Sequence, residues 1–388
     1  GFLGYDSAAY FEPHLAPAIG RQRVAENLDL PEAAFMICGK LVVFDHLRKR
    51  LQIIVNMPVG AGGAGEAYAA GEKELVRIVE KLQGSALDPR AVAVQPAPER
   101  LGRRTTDELL ADVTSDMRRE GYCAAVRRAK EYIAAGDIFQ VVLSHRFSRP
   151  ITASAFDCYR AIRAMNPSPY MFFLDFGEFA LAGSSPEVMV RLEDGQITLR
   201  PIAGTRPRGR DESEDARLAA ELLADEKERA EHIMLVDLGR NDVGRVAAAG
   251  TVKVDELMTI ERYSHVMHIV SNVTGELSPR HTPYDVISSA FPAGTVSGAP
   301  KIRAMEIIAE LESSRRGAYA GAVGYIGFDG NADTAIVLRT ALIAGGRAYV
   351  QAGAGIVFDS VPEREYDETV NKAAAMLRAL DWAEGGAR

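Results

Sequence analysis

Short apolar runs separated by turns dominate this chain, and amphipathic helical stretches lie between them. Residues 188–192 and 197–200 are rich in strand formers and flank an Asp194-Gly195 turn, which predicts a β-hairpin. Residues 40–45 and 51–56 predict a second hairpin. Hairpins with helices between them indicate an α+β protein with large, mostly antiparallel sheets rather than a doubly wound parallel fold.

The other periodic segments extend this pattern to the end of the chain. Helices are predicted over 75–82, 122–133, 213–238 and from Pro362 to about Leu380, and strands over 139–147, 179–182, 263–270, 321–328, 335–344 and 348–357. The proline-containing segment 84–116 has little periodicity; it is the only plausible linker, and a long surface excursion is the favoured interpretation. The chain starts at Gly1 without a methionine, and we expect it to lack an N-terminal segment.

Composition narrows the classes of function. The net charge is −8 and the basic residues are scattered, which argues against a nucleic-acid-binding surface. Cys38, Cys123 and Cys158 lie far apart without metal-ligand spacing and indicate buried thiols in a reducing compartment. The sequence has no apolar run long enough to span a membrane and no signal peptide. We therefore predict a cytoplasmic protein that binds neither nucleic acid nor membranes.

Residues 291–301 form a loop of glycine, proline, serine and threonine directly before a predicted helix. Free backbone N–H groups at a helix N-terminus suit an anion. For this loop alone, an ordinary turn before a helix is the favoured interpretation.

Two groups of carboxylates recur at helical spacing. Glu365, Glu368 and Lys372 share one face of the last predicted helix. Most such patterns are solvated charge faces, but two carboxylates beside a lysine also suit a hard cation and the carboxylate that it binds. Glu228 and Glu231 form a similar pair. Glu231 precedes an apolar run, and on sequence alone it is equally an ion-pair partner or a metal ligand.

Four single residues are candidates for chemistry. Glu187 lies in a turn, where glutamate is usually exposed; in a cleft, loss of water would raise its pKa and make it a proton donor near neutrality. His268 lies in a β-branched strand and is by default a satisfied core or surface histidine. Tyr325 and Arg339 lie on consecutive predicted strands, where an arginine needs a carboxylate partner.

Together these segments resemble the chorismate-utilising enzymes over nearly the whole chain, and within that family they are most similar to the anthranilate synthase large subunits. The motifs that carry the resemblance are GDIFQVVLS at 136–144, SPE at 185–187, PIAGTRPRG at 201–209, EHIMLVDL at 231–238, VMH at 266–268, the 291–301 loop, GAVGY at 321–325 and DET at 367–369. The resemblance implies one chorismate-binding catalytic domain over residues 1–388, with two large antiparallel sheets stacked face to face and helices on the outside.

The resemblance also implies a site for chorismate and Mg2+. Glu231 and Glu368 would hold the metal, with Glu365 nearby, and the metal would bind the ring carboxylate. The residues that would contact chorismate are Gly204, Thr205, Thr295, Tyr325, Arg339, Gly353, Gly355 and Lys372. Glu187 would protonate the departing 4-hydroxyl, and His268 would act in pyruvate elimination.

Two positions indicate which nucleophile attacks. Water-using relatives carry a lysine where this chain has Gln140, and a carboxamide has no useful basicity. Relatives that direct the amine to the para position carry a lysine in place of Ala203, whose methyl group cannot be a nucleophile. We therefore predict that ammonia attacks ring position 2. A separate glutamine amidotransferase (glutaminase) subunit would supply the ammonia, which implies a hetero-oligomer.

Part of the family's tryptophan inhibitor site is also present. It is formed by Pro169, Tyr170, Met171 and Phe172. The other half, an N-terminal Leu-Leu-Glu-Ser stretch, has no counterpart in this sequence, so feedback control does not follow from the resemblance. Two alternatives remain: the large subunit of aminodeoxychorismate synthase, and a non-catalytic regulator that binds tryptophan or docks a glutaminase. A binding module needs no acid, which argues against the second.

Overall fold

The computed structural model describes residues 1–21, 28, 30–84, 104–263 and 266–386. Contacts divide the chain into two compact units, one formed by Gly1–Ala34 with Glu99–Arg388 and the other by Phe35–Pro98. One catalytic domain over 1–388 stays a prediction. Much of the predicted excursion over 84–116 lies outside the described residues, and its described part contains a short helix, Thr106–Leu110, and a strand, Thr114–Ser115.

Strands and helices are mixed along the described chain, with five consecutive strands between Tyr170 and Pro207. The strands are β1 (Phe2–Leu3), β2 (Ala33–Ala34), β3 (Lys40–Asp45), β4 (Arg50–Val55), β5 (Thr114–Ser115), β6 (Gln140–Pro150), β7 (Tyr170–Asp175), β8 (Phe179–Ser185), β9 (Val188–Glu193), β10 (Gln196–Leu199), β11 (Ile202–Pro207), β12 (Lys253–Arg262), β13 (Val266–Glu276), β14 (Gly298–Ala299), β15 (Ala322–Ile326), β16 (Ala332–Ile336), β17 (Thr340–Ala344) and β18 (Arg347–Ile356). The α-helices are α1 (Ala8–Phe11), α2 (Ala16–Arg21), α3 (Gly63–Gly84), α4 (Thr106–Leu110), α5 (Arg119–Ala134), α6 (Ala155–Met165), α7 (Glu212–Ala224), α8 (Glu226–Gly244), α9 (Pro283–Ala290), α10 (Gly294–Ser297), α11 (Lys301–Leu311) and α12 (Pro362–Gly386).

The smaller unit contains one hairpin and one long helix. β3 pairs with β4 from Lys40 opposite Val55 to Asp45 opposite Arg50, which confirms the predicted hairpin. Cys38, just before β3, is exposed, so the prediction of a buried thiol is wrong there, whereas Cys123 and Cys158 are buried. α3 extends well before the predicted stretch 75–82, because its alanine-rich first half favours a helix without carrying an apolar stripe.

The larger unit contains two antiparallel sheets among the described residues. The first has the order β11-β13-β10-β9-β16-β15-β1-β2, with β12 also paired to β13, and the second has the order β14-β6-β18-β17-β8-β7, with β5 paired to β6. The β6–β18 ladder runs from Pro150 opposite Arg347 to Val141 opposite Ile356. These two long strands form the centre of the second sheet.

The two sheets share their hydrophobic cores. One cluster combines Leu143 and Ile356 of the second sheet with Met189 and Ile336 of the first. The other face of the second sheet is covered by α6 and α12, whose apolar side chains pack with those of β6 and β18. The predicted pair of stacked antiparallel sheets with helices on the outside is thus confirmed.

Two predicted elements are divided in the structure, each by one residue. Arg339 has a φ of 46° and lies between β16 and β17, so the predicted strand 335–344 leaves the first sheet there and enters the second. Arg339 therefore does not lie on a strand as predicted. The predicted helix 213–238 is α7 followed by α8, because the Asp225 side chain caps α8 by accepting from the backbone N–H groups of Lys227 and Glu228.

Candidate active site

Glu187 lies in the short connection between β8 and β9 and faces the α10 turn. The hydroxyl of Thr295 donates to Glu187 Oε1 at 2.8 Å. Burial raises the pKa of the Glu187 carboxyl to about 7, and the hydrogen bond from Thr295 lowers it only in part. The two predicted residues are brought together, and near neutral pH Glu187 can carry the proton that a general acid needs.

The backbone of the 291–301 loop fixes the position of Thr295. Gly298 has a φ of 139° and pairs with Val141, and a Cβ at this position would lie 2.2 Å from the carbonyl oxygen of Gln140. Only glycine allows this approach to β6. The loop therefore fixes the α10 turn against β6, while anion binding at its backbone stays a prediction.

His268 on β13 faces Gly204 and Thr205 on β11. Its Nδ1 lies 3.0 Å from the Gly204 carbonyl oxygen and 3.1 Å from the Thr205 hydroxyl. The carbonyl can only accept, so we assign the proton to Nδ1, which leaves Nε2 without one. Burial lowers the pKa of His268, and the nearby charge of Arg339 lowers it further. The ring is therefore neutral near pH 7 and can accept a proton.

Arg339 approaches the same region from the β16–β17 crossing. The described residues offer its side chain no hydrogen bond or ion pair. Although part of the residue is exposed, desolvation of the guanidinium lowers its pKa. A guanidinium without a described partner near His268 suits the carboxylate of a ligand, because a guanidinium can donate two parallel hydrogen bonds to a carboxylate.

Gly353 and Gly355 on β18 make room for two side chains. A Cβ on Gly353 would lie 2.9 Å from the Tyr319 hydroxyl, and a Cβ on Gly355 would lie 2.7 Å from Gln140 Nε2. Lys372 on α12 donates to the Gly353 carbonyl at 3.0 Å. These predicted positions therefore meet at one place.

The tyrosine at this place is Tyr319 rather than the predicted Tyr325. Tyr325 is 63% exposed and pairs with Asp333 across β15 and β16. Asp333 in turn accepts the hydroxyl of Tyr170 at 3.0 Å, which places Tyr325 beside the predicted inhibitor half-site. Tyr319 was not predicted from the sequence, where it lies in the same short stretch as Tyr325, three residues before β15.

Among the remaining residues of the inhibitor half-site, Met171 and Phe172 lie on β7, the edge strand of the second sheet, and Pro169 lies directly before it. Pro169 and Met171 are exposed, whereas Phe172 packs over Gly183 on β8, where a Cβ would lie 2.2 Å from its ring. The structure brings Pro169, Met171 and Phe172 into no described contact with Glu187 or His268. Inhibitor binding at this strand stays a prediction.

Glu231 on α8 is the most buried of the three predicted metal ligands. It accepts a hydrogen bond from Gln140 Nε2 at 3.0 Å. Burial raises the pKa of Glu231, and the charges of Glu228 and Glu368 raise it further. Burial and the charge of Glu368 also raise the pKa of Glu365. The carboxylates of α8 and α12 are thus close enough to repel one another.

This donor set can be tested for its fit to Mg2+. Glu368 is 2.7 Å from the ammonium of Lys372, and within the described ranges no three His, Cys, Asp or Glu side chains form a group that could hold a metal. Mg2+ commonly uses one or two carboxylates and completes its shell with water and substrate oxygens. Mutually repelling carboxylates beside Lys372 therefore fit Mg2+ together with a bound carboxylate.

Known proteins resemble this chain in both sequence and structure. A family model described as chorismate binding enzyme matches residues 1–378. Anthranilate synthase component 1 of Thermus thermophilus is 50% identical over 388 residues, which is 100% of this chain and 78% of that protein. The component 1 of Acetivibrio thermocellus is 49% identical over 383 residues, covering 99% of this chain and 75% of that protein.

Solved structures agree with these relatives. Anthranilate synthase component I from Streptococcus pneumoniae matches with a TM-score of 0.81 and 41% identity, over 97% of this chain and 79% of that chain. A menaquinone-specific isochorismate synthase from Escherichia coli matches with a TM-score of 0.64 and 28% identity, over 69% of this chain and 62% of that chain. Among the described helices, none is long and apolar enough to cross a membrane.

Proposed function

This chain belongs to the chorismate binding enzymes, and from that premise we propose that it converts chorismate and ammonia to anthranilate and pyruvate, as the names of its nearly 50% identical relatives suggest. The observation that carries the proposal is Glu187, whose pKa is raised to about 7 in contact with Thr295. Removal of the 4-hydroxyl of chorismate needs such a proton donor, because hydroxide is a poor leaving group.

The surrounding residues would bind different parts of the substrate. Arg339 has a guanidinium without a described partner, and together with Lys372 it would bind the pyruvyl carboxylate. Glu231 and Glu368, with Glu365 nearby, would hold Mg2+, which supplies charge neutralisation at the ring carboxylate. Gln140 acts here through its hydrogen bond to Glu231 and supplies no base.

The reaction balances with these groups. Ammonia forms a bond to ring carbon 2, the ring double bonds shift, and the bond between ring carbon 4 and oxygen breaks as the hydroxyl takes the proton of Glu187 and leaves as water. The new ammonium group loses one proton, which restores protonated Glu187. His268, with Nε2 unprotonated, then accepts the proton from ring carbon 2 as the bond between ring carbon 3 and the enolpyruvyl oxygen breaks and the ring becomes aromatic. The released enolpyruvate takes up this proton at its methylene carbon and becomes pyruvate. Ala203 is buried on β11 and offers only a methyl group, which supports direct attack by ammonia at position 2.

We further propose that ammonia comes from a glutamine amidotransferase subunit. The relatives are named as the first component of their enzyme, which implies a second component. A cytoplasmic location fits an enzyme that makes anthranilate from chorismate and ammonia, and it stays a prediction.

Release of pyruvate tests the proposal. The purified chain is incubated with chorismate, Mg2+ and ammonium, and pyruvate is followed with lactate dehydrogenase while anthranilate is followed by fluorescence. We expect the two products in equal amounts, and with glutamine instead of ammonium no turnover until a glutaminase subunit is added. Chorismate consumption without pyruvate would indicate para-amination or isochorismate formation, and the absence of consumption would indicate a binding module.

A further inference from the structure

Glu312 and Arg316 form a buried ion pair behind the 291–301 loop. Their side chains are only 3% and 1% exposed. Arg316 Nε donates to Glu312 Oε2 at 2.9 Å, and Nη2 donates to Glu312 Oε1 at 2.6 Å, so the pair is bidentate. Burying two charges costs desolvation energy that is offset only by good geometry and further hydrogen bonds. The other hydrogen-bond partners of Glu312 and Arg316 therefore indicate what this ion pair does in the structure.

The remaining N–H groups of Arg316 connect two walls of the site. Nη1 donates to the carbonyl of Val296 at 2.7 Å, and Nη2 also donates to the carbonyl of Val142 at 2.7 Å. Val296 follows Thr295 in the α10 turn, and Val142 lies on β6 two residues after Gln140. One guanidinium thus ties the turn that contacts Glu187 to the strand that contacts Glu231.

Glu312 extends the connection to β18. Its Oε1 accepts from the backbone N–H of Ser144 at 2.8 Å and from the Ser144 hydroxyl at 2.9 Å. Gln351 Nε2 donates to the same hydroxyl at 2.9 Å. Arg316 also lies 5.7 Å from the ring centroid of Tyr319, the tyrosine that reaches Gly353.

We propose that Glu312 and Arg316 are positioning residues that hold the Thr295 hydroxyl on Glu187 by fixing the α10 turn to β6 and β18. Neither side chain touches the reacting atoms. The inference rests on the proposed function, because it takes Glu187 as the proton donor. An apolar pair could fill the same volume at a lower desolvation cost, but it could not donate to the carbonyls of Val142 and Val296. A displacement of about 1 Å at a catalytic group can cost roughly 100-fold in rate.

Arg316→Lys is the first test. It keeps the charge, but one ammonium cannot reproduce the forked donors that reach Glu312 and both carbonyls. We expect kcat to fall by about 10-fold or more while KM for chorismate stays within about 3-fold, because the substrate contacts remain. The matched control is Arg149→Met, which removes another buried arginine of an ion pair, from β6 to Asp381, and should leave kcat unchanged.

A double variant separates positioning from folding. Arg316→Met leaves the Glu312 carboxylate buried without its cation, whereas Glu312→Gln with Arg316→Met removes both charges. We expect the double variant to unfold at a higher temperature than Arg316→Met and to keep a kcat as low as that of the single variant. If kcat recovers together with stability, or if Arg316→Lys has the kcat of the wild type, the inference is wrong. A wild-type chain that makes no anthranilate would instead contradict the proposed function.

Discussion

Glu187 is the residue on which the chemistry depends most. Its carboxyl is desolvated and bonded to Thr295, and it can hold a proton near pH 7. We expect Glu187→Gln to bind chorismate nearly as well as the wild type and to lose roughly 10²–10⁴-fold in kcat, the usual contribution of a positioned acid. Steady-state kinetics with chorismate and ammonium measure both constants. A raised KM with an unchanged kcat would show that Glu187 binds substrate and donates no proton.

The same residue makes stability depend on pH. The pKa of Glu187 is raised in the folded state from 4.5 to about 7, so the stability that the group contributes is full below pH 4.5 and is lost as the pH rises through 7. Glutamine has no charge to bury. The free energy of unfolding of Glu187→Gln, relative to that of the wild type, should therefore increase by on the order of 2 kcal/mol from pH 5 to pH 8.5.

Urea unfolding at the two pH values measures this gain. Glu178→Gln, a change at the exposed residue directly before β8, is the control. Equal differences for Glu187→Gln at both pH values would mean that the carboxyl is not desolvated.

Single residues also show where sequence reasoning reached its limit. Glu187, Thr295 and His268 were predicted from motifs that the structure brings into contact with their expected neighbours. Tyr319 was missed in favour of Tyr325, because both lie in one short stretch of similar sequence. Only the register of β15 with β16 shows that Tyr325 points to Asp333 and leaves Gly353 to Tyr319.

At the scale of elements, α12 has one side that packs in the core and another that carries the proposed metal ligands Glu365 and Glu368. Val370 and Leu377 pack on the second sheet, and Thr369 is fully buried against His145 at 2.7 Å. This packing sets the rotation of the helix and directs Glu368 and Lys372 to β18 and α8. The predicted charge face is thus held in place by the apolar residues between its members.

Glu368→Gln tests the metal site on this helix. A hard cation prefers charged oxygen ligands, so the variant should need a Mg2+ concentration at least about 10-fold higher for half-maximal turnover. Asp367→Asn is the control, because Asp367 pairs with Arg119 on the exposed side of the same helix. A Glu368→Gln enzyme with the Mg2+ dependence of the wild type would remove this residue from the metal site.

Elements differed in how well periodicity predicted them. The hairpin of β9 and β10 follows from Asp194 and Gly195, whose φ values of 49° and 81° suit its two-residue turn. The break at Arg339 could not be predicted, because a left-handed arginine between apolar runs has no local signal. The cap at Asp225 could have been found, since aspartate is a preferred N-cap residue.

At the scale of the molecule, the site is assembled from both sheets. The first sheet supplies Gly204 and His268, the second supplies Gln140 and Gly353, and α8, α10 and α12 supply the carboxylates and the hydroxyl. These residues come from positions throughout the larger unit, so no local spacing predicts their proximity. The order of motifs shared with the chorismate binding enzymes predicted it, and the stacked sheets explain it.

The most direct measurement is the position of the amino group in the product. The wild-type chain is incubated with chorismate, Mg2+ and 15N-labelled ammonium at pH 8, and the products are separated and identified by mass spectrometry and NMR. The account predicts pyruvate together with anthranilate, in which the 15N-labelled amino group is bonded to the ring carbon next to the one that bears the carboxylate. 4-Amino-4-deoxychorismate, isochorismate or salicylate as the main product would contradict it.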